Sequence, residues 1–456
     1  MEWKGRRVAV IGLARSGVAA CRALASRGAE VVAYDLKSPQ DLAPAVAGLE
    51  GLPVELRLGA QVKVECAGLA LAVVSPGVPL DAPMLAPLFR AGVEVIGEVE
   101  LAYRLKKPGV SLAAITGTNG KTTTTALVAA ILRQAGVPGL AAGNIGLPLV
   151  EAVEGLERGV VAVEMSSFQL DTIRDFRAQV AAILNITPDH LDRHHTMERY
   201  VAAKARVLCN QQPQDWAVLN FGDPLVRGLA ARAPGGVVFF SAQRRLDDGV
   251  FLWDGNIVVR RAGREEVLIP RQQVPLRGAH NTENVLCACG VCLALGLTFP
   301  PVRAALEKFR GVRHRLEEVR TLDGVLYVND SKGTNPDSTI KALQSFSEPV
   351  VLIAGGRHKG GDLAPLARLV AERVAHVVLV GEAAPVMRDA LVAAGCARVE
   401  MAPDFPRAVE RARALARPGD VVLLSPACAS WDMFRDYEQR GDLFCSLVKG
   451  FQEGRP

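Results

Sequence analysis

Short apolar runs rich in valine and isoleucine recur along the chain, separated by stretches of helical character. The first are RVAVIG from Arg7, EVVAYD from Glu30, LALAVVSPG from Leu69 and VEVIG from Val93, with helix-like VAACRALASRG from Val18 between the first two. Runs that are apolar nearly throughout, rather than alternating, fit strands covered on both faces, and intervening helices supply the cover. The rhythm therefore predicts a parallel sheet with crossover helices. It returns in VSLAAITG from Val110, GVVAVEMSS from Gly159 and AQVAAILNIT from Ala178, followed by a predicted helix from Asn281 to Leu295. A third set, VLYVND, PVVLIAGG, HVVLVG and DVVLLSP, follows from Val325 onward, spaced by helices rich in Ala, Arg and Leu. The expected architecture is α/β in three domains: a Rossmann-like domain over 1–96, a central P-loop ATPase-like domain with a mostly parallel sheet over 97–311, and a Rossmann-like domain over 312–456.

Composition adds exclusions. With 456 residues, 49% hydrophobic and 22% charged, the chain can bury several cores without staples. Its net charge of +5 is small for the length and no Lys/Arg-rich run occurs, which suits an anionic small substrate and predicts no nucleic-acid partner. Nine cysteines, mostly in apolar stretches, read as reduced core thiols of a cytoplasmic protein. The cluster Cys287, Cys289, Cys292 lacks a second ligand pair at zinc spacing and reads as helix packing. At the start, MEWKGRRVAVIGLARSG is interrupted by glycines and Arg15, unlike a signal peptide, and no apolar run reaches membrane-spanning length.

The chemistry concentrates in ITGTNGKTTTTALVAAIL, where a β-rich run ends at Thr116, a glycine-rich turn follows and a helix starts near Lys121. Backbone N–H groups in such a turn cradle a phosphate, Lys121 neutralises its oxygens and the Thr122 hydroxyl reaches Mg²⁺. The usual GxxxxGK[ST] spacing is not met, because Ile115 stands where the first glycine belongs. Glu164 leaves one parallel strand, and His190 follows another in AAILNITPDHLDR, both at the edge where open α/β sheets place ligands. His194 and His195 read as ordinary loop histidines. In IGLARSG, Gly12 and Gly17 fit a dinucleotide fingerprint but Ala14 replaces the middle glycine, which weakens a dehydrogenase reading; Asp35 falls where a ribose-binding acid belongs.

Taken together, SPGVP (75–79), GTNGKTTT (117–124), GNIGLP (143–148), EMSSFQL (164–170), DHLDRH (189–194), YVAAK (200–204), GAHNTEN (278–284), His314–Arg315, NDSKGTN (329–335) and SPACASWDMF (425–434) resemble the Mur ligase family, over essentially the whole chain. No DNPR-type motif of its diaminoacid-adding members is present, and the third-domain motifs resemble the version that adds D-glutamate to UDP-N-acetylmuramoyl-L-alanine. The resemblance implies ATP-dependent ligation through an acyl phosphate in cytoplasmic cell-wall precursor synthesis, by a monomer without membrane partners. It implies catalytic roles for Lys121, Glu164, His190 and Lys204, and two Mg²⁺ ions held by Thr122, Glu164, His190 and Lys204, the last as a carbamate formed with CO₂. ATP would be bound by Gly117, Thr118, Asn119, Gly120, Lys121, Thr122, Thr123, Asn281, Arg315 and Asp330. The UDP substrate would meet Ala14, Arg15, Ser16, Asp35, Lys37, Ser75, Pro76, Gly77, Asn144 and His190. D-glutamate would be held by Lys332, Thr334, Lys359, Ser430 and Tyr437, the last standing where family members carry phenylalanine. Rival readings are a folylpolyglutamate synthase, which shares the TGTNGKT loop, a nucleotide-binding regulator without catalysis, and a dehydrogenase.

Overall fold

The computed structural model describes residues 3–358, 360 and 362–454. Its strands form three sheets. The first holds β1 (Arg7–Ile11), β2 (Glu30–Asp35), β3 (Val54–Leu58), β4 (Leu69–Val74) and β5 (Val95–Gly97) in the order β3-β2-β1-β4-β5. All its pairings are parallel. The order reverses at β1, and open α/β sheets form their ligand crevice at such a switch. Close packing shapes this edge. Gly12 has φ +88, and a Cβ on Gly17 would lie 1.9 Å from the Gly12 carbonyl oxygen. The loop glycines are thus fixed by backbone approach between β1 and the helix Arg15–Ala25.

The second sheet holds β6 (Gly109–Thr116), β7 (Gly139–Gly143), β8 (Arg158–Glu164), β9 (Val180–Ile183), β10 (Trp216–Asn220), β11 (Gly236–Ser241), β12 (Gly249–Trp253), β13 (Asn256–Arg261) and β14 (Arg264–Pro270). Its order is β14-β13-β12-β11-β10-β9-β6-β8-β7, parallel from β12 to β7. β12–β13–β14 form an antiparallel meander. Between the first two sheets runs a strut, Val95–Gly97 continuing into the helix Glu98–Leu105. Gly97 N donates to Thr172 O, and the fully buried Glu100 accepts from the amides of Arg174, Asp175 and Phe176. One apolar cluster continues from Val8 and Val10 of β1 through Val99 and Leu101 to Leu112 and Ala114 of β6.

The third sheet holds β15 (Glu317–Leu322), β16 (Val325–Asn329), β17 (Val350–Gly355), β18 (Val374–Val380), β19 (Val399–Met401) and β20 (Val421–Ala427), in the order β15-β16-β20-β17-β18-β19. It is parallel except for the edge pair β15–β16. Apolar clusters cover both its faces, as nearly continuous hydrophobic strands require. The chain divides into two compact units, Met1–Val274 with Glu283–Glu307, and Pro275–Thr282 with Lys308–Pro456. The helix expected over Asn281–Leu295 spans Ala279–Ala294, and Cys287, Cys289 and Cys292 are wholly buried in it. Among the described residues no helix is long and apolar enough to cross a membrane.

Candidate active site

The glycine-rich loop lies at the carboxyl end of β6, between the ends of β8 and β9. Register places Ile115 opposite Glu164 and Thr116 opposite Ile183. Two short links hold the loop: Thr118 N donates to Asn185 O at 2.9 Å, and Asn119 N to Asn185 Oδ1 at 2.9 Å. Gly120 has φ +85, and a Cβ there would meet Asn284 Oδ1 at 2.0 Å, so any larger residue is strained in this turn and must displace that amide. The helix Lys121–Gln134 then begins, with Thr122 and Thr123 buried in its first turn. Lys121 Nζ bonds Gly117 O at 2.8 Å and Thr118 O at 2.7 Å.

Lys204 meets the same carbonyl. Its Nζ bonds Gly117 O at 2.8 Å, although sequence type alone would put a helix lysine in water. The helix Met197–Ala205 carries it inward to 1% exposure. Burial, reinforced by the positive charge of Lys121, holds its amine well below the usual lysine range. One turn earlier, Tyr200 places its ring centroid 4.6 Å from the Lys204 nitrogen and shares a hydrogen bond of 3.2 Å with the Thr118 hydroxyl. Tyr200 does not stand out in the sequence. The signal available was its spacing of four from Lys204 on one helical face.

Glu164 is buried at 2% exposure. Its Oε1 accepts from Asn144 Nδ2 at 3.0 Å, while Oε2 has no hydrogen-bond partner. An orphaned carboxylate oxygen suits a hard divalent cation, so Glu164 fits the Mg²⁺ implied for it. Asn144, assigned to the UDP substrate from sequence, thus also holds Glu164. A capping box at Ser166 and Gln169 fixes the following turn. That turn presents Phe168 to His190, with ring centroids 4.9 Å apart. His190 has φ 53, a left-handed conformation uncommon for a non-glycine residue, and its side chain is 49% exposed. His194 is buried rather than solvated, sharing a 2.8 Å hydrogen bond with Ser167 Oγ and stacking on Phe168.

In the first sheet, Ala14 caps the helix Arg15–Ala25 with extended backbone, and Arg15 and Lys37 are exposed. Asp35 is committed locally: its oxygens accept from Leu13 N at 2.7 Å and Lys37 N at 2.9 Å. Ser75 donates to Gly12 O at 2.6 Å, so with Pro76 and Gly77 it closes the turn after β4 against the β1 loop. Beside this edge lies a cleft of about 520 Å³, lined by Leu13, Ala14 and Arg15 on one wall and Gly146, Leu147 and Pro148 on another.

In the second unit, Asp330 is buried and accepts from Ser425 Oγ at 2.7 Å. Desolvation pushes its carboxyl up to about 6 despite Ser425 and Arg315. Lys332 Nζ lies 5.2 Å from the Tyr437 ring, whose hydroxyl bonds Glu438 Oε1. Thr334 N bonds Lys332 O, and Ser430 is buried with its carbonyl accepting from Met433 and Phe434. Asn281 Nδ2 donates to Arg277 O at 2.7 Å. Lys359 lies outside the described residues. Arg440, not singled out from sequence, is 1% exposed and links Ser331 of NDSKGTN to the Cys428 carbonyl of SPACAS.

Comparison with known proteins assigns each part of the chain to a family. Residues 6–97 match the model of the Mur ligase MurD-like N-terminal domain, 115–292 the Mur ligase middle domain and 314–428 the Mur ligase glutamate ligase domain. The UDP-N-acetylmuramoylalanine--D-glutamate ligase of Pelotomaculum thermopropionicum is 47% identical, covering 99% of both chains. That of Geobacter metallireducens is 48% identical, covering 100% of this chain and 99% of its own. Among solved structures, the UDP-N-acetylmuramate-alanine ligase MurC of Thermotoga maritima superposes with a TM-score of 0.63 at 21% identity, over 97% of this chain and 99% of that one. MurF of Acinetobacter baumannii gives 0.63 at 19%, over 96% and 93%. Matched along its whole length by relatives nearly half identical to it, the chain belongs to the Mur ligase family.

Proposed function

We propose that the protein joins D-glutamate to UDP-N-acetylmuramoyl-L-alanine with cleavage of ATP to ADP and phosphate, in cytoplasmic peptidoglycan precursor synthesis. The observation that carries the reading is the convergence on Gly117 of Lys121 and the buried Lys204, beside a strand whose Glu164 keeps an unpartnered oxygen. In the first step the substrate carboxylate attacks the γ-phosphorus and ADP leaves, giving an acyl phosphate. The D-glutamate amine then attacks the acyl carbon, and the tetrahedral intermediate expels phosphate as the amide forms. Loop amides 117–123 orient the nucleotide phosphates, and Lys121 offsets their charge.

Thr122, Glu164, His190 and Lys204 are the proposed ligands of two Mg²⁺ ions, which when bound neutralise phosphoryl charge. Lys204 supports this in one specific way. A buried lysine with a depressed amine is a nucleophile toward CO₂, and its carbamate is a carboxylate on a long stem. The cleft beside Ala14, Arg15 and loop 143–148 is proposed for the UDP substrate, with Ser16, Asp35, Lys37, Ser75, Pro76 and Gly77 at its edge. In the second unit Lys332, Thr334, Lys359, Ser430 and Tyr437 are proposed for D-glutamate, and Asn281, Arg315 and Asp330 for nucleotide. Domains of 1–96, 97–311 and 312–456 and a monomeric state belong to the same reading.

The test is reconstitution. ATP, Mg²⁺, UDP-N-acetylmuramoyl-L-alanine and D-glutamate should yield a product heavier by one glutamate residue, with phosphate released in equal amount. Lys121→Ala should lose at least about 3 kcal/mol of transition-state stabilisation, roughly a hundredfold in rate. No product from wild type, or more than about a tenth of its rate in Lys121→Ala, contradicts the reading.

A further inference from the structure

We propose that Glu98 is a positioning residue for the substrate cleft, its carboxylate holding loop 143–148 in the shape that forms one wall. The proposal rests on the reading of that cleft given above. The helix Leu149–Glu154 starts after Pro148, which supplies no side-chain cap. Its first amides find an acceptor 52 residues back in the chain: Glu98 Oε1 accepts from Val150 N at 2.6 Å. Leu149 N also donates toward this carboxylate. Uncapped first-turn amides otherwise need water or another partner, so Glu98 acts as a cap delivered from the strut between the sheets.

What precedes those amides gives the contact its meaning. Gly146, Leu147 and Pro148 line the cleft with Leu13, Ala14 and Arg15. Earlier in the loop, Gly143 N donates to Leu147 O at 2.9 Å, and Asn144 Nδ2 donates to Glu164 Oε1 at 3.0 Å. One carboxylate therefore pins the far end of a loop whose tip lines the cleft and whose near end holds a proposed metal ligand.

The charge itself needs an explanation, because glutamine would fill the same space. Glu98 is 2% exposed and its Oε2 has no hydrogen-bond partner. From the helix packed on it the acting charge is Glu151, of like sign. Glu154 on that helix pairs with Arg27, and on Glu98's own helix Glu100 pairs with Arg104. Burial, with Glu151, lifts the Glu98 carboxyl to about 7 against the pull of the two amides. Below that pH it carries a proton and behaves as glutamine would; above it, the anion grips both amides more strongly.

Calorimetric titration of UDP-N-acetylmuramoyl-L-alanine into the full-length wild type and Glu98→Gln, from pH 6 to 8.5, tests this, with Mg-ATP titrated alongside. The Kd ratio of variant to wild type should rise from about one at pH 6 to about fivefold or more at pH 8.5, Mg-ATP affinity staying within about twofold. A ratio independent of pH overturns the proposal, since packing alone would not titrate. Wild type that fails to bind the UDP compound overturns the cleft reading instead. In that case, or if the variant does not fold, amide exchange on ligand-free wild type decides. Protection of Val150, corrected for the intrinsic exchange rate, should increase as pH rises through about 7, and flat protection sinks the proposal.

Discussion

At the residue scale, two charged groups of the site, Glu164 and Lys204, sit where water does not reach them. Lys204 is the sharpest case. Buried beside Lys121, its amine is held well below the usual lysine range, burial outweighing the opposing pull of Asp189. Lys204→Ala should nearly eliminate ligation, small carboxylic acids should partly restore it, and Lys204→Arg should be inactive, because a guanidinium does not form a carbamate. Normal turnover by Lys204→Arg would remove the carbamate from the account. Asp330 makes a second residue-scale prediction. Its folded carboxyl titrates at about 6, above the ordinary aspartate value of about 4, so its contribution to stability is fully present below about 4 and lost as pH rises through 6. Asparagine carries no such penalty. Urea unfolding of the second unit should therefore show Asp330→Asn gaining on wild type by on the order of 2 kcal/mol between pH 4 and 7. Parallel pH curves would contradict this. Legibility at this scale was uneven. Lys121 and Glu164 stood out because motif and strand end coincide, whereas the burial of Lys204 was not readable from YVAAK without the resemblance. The capping role of Glu98 was invisible, since its partner amides lie far along the chain.

At the element scale, the reach of each loop is set by the strand ends that carry it. The ends of β6, β8 and β9 bring 117–121, Glu164 and the His190 loop to one edge, as their apolar runs foretold. Gly120 shows how little slack remains. With φ +85 and Asn284 Oδ1 only 2.0 Å from a would-be Cβ, Gly120→Ala should strain the phosphate loop by about 1–3 kcal/mol. Calorimetry should show ATP affinity falling about tenfold or more, and unchanged affinity would mean the loop adapts freely. The parallel strands were legible because both faces are covered. The meander β12–β14 was not singled out, although its DG and AG turns between apolar runs carried the signal. β3, half-buried at the sheet edge, gave too weak a pattern.

At the scale of the whole molecule, the first unit holds two of the three sheets, joined by the strut 95–105 and one continuous core. The three-block rhythm was legible, but that shared core was not, because nothing in the segment 98–105 marks the carboxylates of Glu98 and Glu100 as buried. Across the molecule the central claim is a choice of amino acid: NDSKGTN and SPACASWDMF belong to a unit proposed to hold two carboxylates. An amino acid lacking or misplacing one forfeits that carboxylate's ion pair and hydrogen bonds, a loss of about 3 kcal/mol or more. The most direct test is phosphate release from ATP with UDP-N-acetylmuramoyl-L-alanine and, in turn, D-glutamate, L-glutamate, L-lysine and meso-diaminopimelate. The account predicts turnover with D-glutamate and kcat/KM lower by about a hundredfold or more with each of the others. Comparable kcat/KM with L-lysine or meso-diaminopimelate would contradict it.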